Sequence, residues 1–129
     1  MDNIHKLFII AAIATSIFLM SMVSAYAAEE VPTFTAKVGE LKKITFKLTN
    51  NLRMDQPFVY IIQVKDEEGF TDQLSWVNGL LQAHQEFRPQ QSWIPENPGE
   101  YTVEIFIWKS VANPVPLSPP LMMKVNVEL

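Results

Sequence analysis

Cysteine is absent from this 129-residue chain, and histidine occurs only at His5 and His84. That removes disulfides, thiolate catalysis, zinc fingers and multi-histidine metal sites together. Positive charge is also scarce. Ten Lys and Arg face fourteen Asp and Glu, for a net charge of −4 and a pI near 5.1, so there is no basic field to neutralise phosphates and nucleic acid is a poor partner class. Charged residues make up only 19% of the chain against 48% apolar. This balance excludes a solvated, disordered tail and supplies enough material for a packed core. The length suits one domain with a short extension.

Charge disappears entirely from Leu7 to Ala28, where the run Leu7-Phe8-Ile9-Ile10-Ala11-Ala12-Ile13-Ala14 through Met22-Val23 is almost wholly apolar. Ala25-Tyr26-Ala27 places small residues where a signal peptidase requires them, just before Glu29-Glu30, which predicts cleavage after Ala27. The opposing reading is an uncleaved anchor helix, because the run matches the roughly 20 residues of a spanning helix and the positive flank at Lys6 is offset by Asp2. Either way residues 1–27 are a signal peptide or membrane anchor. Residues 28–129 form the exported domain, which touches membrane only through residues 7–27 and only if they are retained.

Within 28–129 the apolar pattern has period two. Ile44, Phe46 and Leu48 alternate with Lys43, Thr45 and Lys47, the mark of a strand with one wet face, and Thr49-Asn50-Asn51 ends it in turn chemistry. Phe58 to Val64 is dense in β-branched and aromatic residues and stops at Asp66-Glu67-Glu68-Gly69, which suits a central strand. Asn78-Gly79 between Leu74–Val77 and Leu80–Leu81 predicts a tight hairpin. Pro98-Gly99 leads into Tyr101 to Trp108, the strongest strand. The proline-rich connection 113–120 then precedes a last alternating run, Leu121 to Val127. With an opening strand at Phe34 to Val38, about seven strands and no substantial helix are expected in the exported part.

About seven short strands in roughly a hundred residues, with Pro98-Gly99-Glu100-Tyr101-Thr102-Val103 opening the penultimate one, resemble the immunoglobulin-like superfamily. That resemblance implies a two-sheet sandwich in which Tyr101 forms a tyrosine corner. Val103 stands where antibody domains carry Cys, so the likeness is to cysteine-free bacterial and archaeal surface modules. The stretches Gln56 to Asp66, Gln91-Ser92-Trp93-Ile94-Pro95 and Leu117 to Leu121 are similar to small secreted proteins of ammonia-oxidising archaea. The resemblance carries no catalytic residue.

An enzyme would need convergent groups, and His84 is the sole imidazole after residue 27. None of Ser75, Ser92, Ser110 or Ser118 sits in a nucleophile elbow. Asp66, Glu67, Glu68 and Asp72 offer oxygens to Ca²⁺ but lack the alternate spacing of a calcium loop, so they read as a solvated turn. Met122 and Met123 are adjacent on a strand and point to opposite faces, which opposes a shared copper site. No catalytic, metal or cofactor residue is assigned.

Strand parity is more informative. With Tyr101, Val103, Ile105 and Ile107 inward, Phe106 and Trp108 face out; with Phe58, Tyr60, Ile62 and Val64 inward, Val59 and Ile61 face out. The last strand adds Met122. Val59, Ile61, Phe106, Trp108 and Met122 are therefore the expected partner-binding patch, covered by a protein partner, by a second copy or by this chain's own proline-rich connection. The expected role is a non-catalytic binding or structural module at the cell surface, with an anchored accessory subunit of a membrane enzyme complex as the alternative.

Overall fold

A computed structural model describes residues 9–13 and 31–129. Its strands are β1 (Ile9–Ile13), β2 (Thr33–Lys37), β3 (Lys42–Asn50), β4 (Gln56–Lys65), β5 (Thr71–Leu81), β6 (Glu86–Phe87), β7 (Gln90–Trp93), β8 (Gly99–Trp108) and β9 (Leu121–Glu128). One sheet has β3 between β1 and the pair β6 and β7; the other runs β2-β9-β8-β4-β5. All pairings are antiparallel except β2 with β9. The result is an immunoglobulin-like sandwich without helix among the described residues.

Over Ile9–Ile13 the backbone is extended and pairs with Phe46 to Asn50. This departs from the helix that the apolar run suggests, and the β-branched Ile9, Ile10 and Ile13 favour it locally. The rest of the N-terminal segment, including Ala25-Tyr26-Ala27, lies outside the described residues. No described helix is long and apolar enough to cross a membrane.

Alternation dictates the core. Ile44, Phe46 and Leu48 from β3 meet Tyr60, Ile62 and Val64 from β4 and Val103, Ile105 and Ile107 from β8, all buried in one cluster. Each such side chain contributes roughly 1.5–3 kcal/mol on burial. Phe46 and Tyr60 join the sheets edge to face, with centroids 5.1 Å apart at 85°, and Trp93 meets Tyr101 similarly at 4.9 Å. Pro89, which has no N–H to give the ladder, separates β6 from β7.

The corners use polar side chains. Tyr101 donates its hydroxyl to Asn97 O at 2.8 Å. Asp66 Oδ1 accepts from the N–H of Glu68 and of Phe70, both at 2.9 Å, and so folds the tip between β4 and β5 around Gly69 at φ 89°. Glu67 Oε1 accepts from Glu100 N–H at 2.9 Å. The same oxygen lies 2.8 Å from where a Cβ on Gly99 would stand, at φ 140°, so glycine alone suits that position.

The expected hairpin at Asn78-Gly79 is corrected: β5 runs unbroken through both residues to Leu81. Gly79 is there for close approach. A Cβ at this position would lie 2.9 Å from two carbons of the Phe58 ring, which occupies the space a side chain would need.

Candidate interaction surface

The outward residues of β4, β5 and β8 stand in rows set by register. Ile61 lies between Trp76 and Phe106, Val59 between Asn78 and Trp108, and Gln63 between Leu74 and Glu104. Ile61, Gln63, Leu74, Trp76, Phe106, Trp108 and Val111 line an open recess of about 450 Å³ with almost wholly apolar walls. Phe106 and Trp108 are tilted neighbours with centroids 6.0 Å apart. Trp76 is 56% exposed and Leu74 51%, so β5 contributes the freest apolar surface.

Toward the β4–β5 tip the same face becomes ionic. Lys65 Nζ lies 2.9 Å from Glu104 Oε1, and Lys124 Nζ lies 3.9 Å from Glu100 Oε1. Surface pairs of this kind, the Lys65–Glu104 pair being partly buried, add little stability, but they bound the apolar area on one side. Met122 stands opposite Glu104, beside this ionic margin.

Parity places Val59, Ile61, Phe106, Trp108 and Met122 on one outer face, but they are not equally available. Val59 is corrected as a docking residue: it is wholly buried although it points away from the inner core. Ile61, Phe106 and Trp108 are half-buried and line the recess; Met122 is 39% exposed and outside its lining. The proline-rich connection extends the sheet in its own plane beside the end of β8, past the last β8–β9 pair at Ile105 and Leu121. It pairs Pro116 with Trp108, Lys109 N–H donates to Val115 O at 2.9 Å, and Leu117 N–H donates to Ile107 O at 2.8 Å. Leu117 enters the core, and Val111 forms one wall of the recess. Leu74 and Trp76 escape the sequence reading because a hairpin at Asn78-Gly79 leaves the faces of this strand unassigned.

Among the polar residues considered for chemistry, Ser75 Oγ is buried without a hydrogen-bond partner, whereas Asp72, Ser110 and Ser118 have structural partners. Asp72 Oδ2 accepts from Trp93 Nε1 at 2.8 Å, Ser110 Oγ accepts from Asn113 N–H at 2.9 Å, and Ser118 donates to Pro119 O at 3.2 Å. His84 sits in the turn after β5 at φ 62°. Among the described residues no three His, Cys, Asp or Glu side chains gather as a metal site. Burial raises the Tyr60 hydroxyl pKa above 10.0. Burial, then the charges of Asp72, Asp66, Glu67 and Glu96, raise that of Tyr101.

No protein-family model matches the sequence, and no curated protein does. Solved structures do match in fold. The CARDB domain of the PF1109 protein from Pyrococcus furiosus, described in complex with di-metal ions, is 16% identical with a TM-score of 0.57, covering 77% of this chain and 83% of that one. The ASH/PapD-like domain of human CEP192 is 15% identical with a TM-score of 0.52, covering 99% and 89%. A family 123 glycoside hydrolase from Clostridium perfringens is 10% identical with a TM-score of 0.59, matching 94% of this chain but only 27% of the enzyme. At such identities the likeness establishes the immunoglobulin-like fold alone.

Proposed function

We propose that this chain is an exported, non-catalytic binding or structural module, working at the cell surface without a cofactor, that associates with an envelope protein through the outer face of its larger sheet. The observation that carries this reading is the apolar recess from Leu74 and Trp76 across Ile61 to Phe106 and Trp108. Contiguous apolar surface on a soluble face marks association sites, and aromatic side chains supply most of the energy when they are buried there. Trp76→Ser and Phe106→Ser should abolish cross-linking of the protein to its envelope partner in intact cells while leaving the melting temperature close to wild type. Cross-linking that persists unchanged in both variants opposes the reading.

The charge-free run from Leu7 to Ala28 supports a second reading, an anchored accessory subunit of a membrane enzyme complex. Intact mass separates the two. A protein starting at Ala28 opposes the anchor, and a retained N-terminus supports it.

A further inference from the structure

We propose that the free edge of β5 pairs with the same edge of a second copy, antiparallel and centred on Val77. The larger sheet has two edges, β2 and β5. β2 is five residues long, whereas β5 has eleven. Proteins blunt such edges with charge, proline, bulges or brevity. From Gln73 to Leu81 this strand has no charged residue and no proline, and its one register irregularity lies beyond that stretch, where Asp72 is skipped between the pairs Val64–Gln73 and Lys65–Thr71. Among the described residues nothing pairs with its outer side.

The sequence of the edge favours its own copy. Val77 is the midpoint of Gln73–Leu81, so an antiparallel pair centred there matches the whole uncharged stretch with itself. Leu74 then faces Leu80 of the other copy and Trp76 faces Asn78 on the outer side, while Ser75 faces Gly79 on the inner side. Asp72 is kept away from its own copy, which removes like-charge repulsion. An isologous contact of this kind closes at a dimer. Val77 adds an independent sign. It stands opposite the inward-facing Tyr60 yet is 42% exposed, because the sandwich is open at this side; pairing sets it against its own copy. The edge is already held in shape by bonds at both ends, from Trp93 to Asp72 and from Asn50 to Leu81, which lowers the ordering cost of association. The contact uses main-chain groups of the edge and does not depend on the outer face being a docking site.

The absence of cysteine makes the test direct. Val77→Cys in the full chain should form a disulfide-linked dimer under mild oxidation at least about tenfold faster than Met54→Cys on an exposed loop, because contact raises the local thiol concentration. A mixture of Trp76→Cys and Asn78→Cys chains should cross-link likewise. Val77→Lys should weaken the dimer by about fivefold or more in sedimentation, through two like charges set opposite. Cross-linking of Val77→Cys no faster than of Met54→Cys, or a monomer at high concentration, overturns the proposal. A dimer weakened by Phe106→Ser but not by Val77→Lys assigns association to the outer face instead. Rapid Val77→Cys cross-linking with envelope association insensitive to Phe106→Ser leaves the edge contact standing and removes the outer-face reading.

Discussion

Asn50 Nδ2 lies 3.1 Å from the carbonyl oxygen of Leu81, joining the end of β3 in one sheet to the end of β5 in the other. The same nitrogen is 2.9 Å from Met54 O and 3.1 Å from Gln82 O, and Oδ1 accepts from Leu52 N–H at 3.0 Å. Asn50 is wholly buried and its bond to Leu81 O is buried with it, so no water replaces the amide there. Asn50→Ala should cost about 1–3 kcal/mol, the range for orphaned buried polar groups. Asn50→Asp should cost more at neutral pH, since a carboxylate would face three carbonyl oxygens without a donor. Chemical denaturation of the three proteins checks the order.

At the other end of β5, Asp72 Oδ2 holds the Trp93 indole N–H. Asp72→Ala leaves that donor unpaired against the core and should destabilise by about 1–3 kcal/mol. Asp72→Asn keeps an acceptor and should recover most of the loss. Thermal melts followed by tryptophan fluorescence distinguish the two.

Tyr101 ties alkaline stability to the corner before β8. Its hydroxyl pKa is raised in the fold, by burial first and by Asp72 next, so the folded state prefers the neutral phenol. The sign follows from linkage: the contribution is fully present below the unfolded value near 10.0 and is lost as pH rises through the higher folded value. Tyr101→Phe should cost about 1 kcal/mol near neutrality by deleting the bond to Asn97 O. It should also flatten part of the alkaline decline, the remainder belonging to Tyr60. Asp72→Asn should lower the Tyr101 pKa in a spectrophotometric titration.

Gly79→Ala tests the reason for the glycine within β5. In a tight hairpin that depends on positive φ, alanine would be penalised by backbone strain. Here its Cβ would meet the Phe58 ring, which is buried and packed toward Phe87 with centroids 6.3 Å apart. The expected loss is about 1–2 kcal/mol. Phe58→Leu in the same chain should reduce the penalty, whereas a strained turn would be indifferent to that second change.

The sandwich was legible because its long strands alternate cleanly. Lys43 to Leu48 and Tyr101 to Ile105 switch polarity at every step, so parity settles which residues face the core. β5 was opaque for the opposite reason: Leu74, Trp76, Val77 and Leu80 are apolar on both faces, since the edge is uncovered inside and the recess lies outside. Asn-Gly in such a strand carries the local signature of a turn, while the ring that needs the glycine comes from Phe58, twenty-one residues earlier. The cover over Val59 is likewise a tertiary event. Parity gives the face to which a side chain points and is silent on what lies over that face.

Val59 and Trp76 therefore separate packing from association on one surface. Val59 has no exposure and is flanked by Asn78 and Trp108. Val59→Ser would leave a void beside Trp108 and put a hydroxyl in place of buried apolar surface, so it should lower stability by about 2 kcal/mol. Trp76 projects from the same face with more than half its surface exposed. Trp76→Ser should change the melting temperature little, because the folded chain gains little from a ring still in water, and should reduce association in proportion to the aromatic area lost from the contact. Melting curves and sedimentation on both variants decide the matter. Equal loss of stability in the two would mean that Trp76 is part of the fold's own packing, and the recess would then be a seam of the domain.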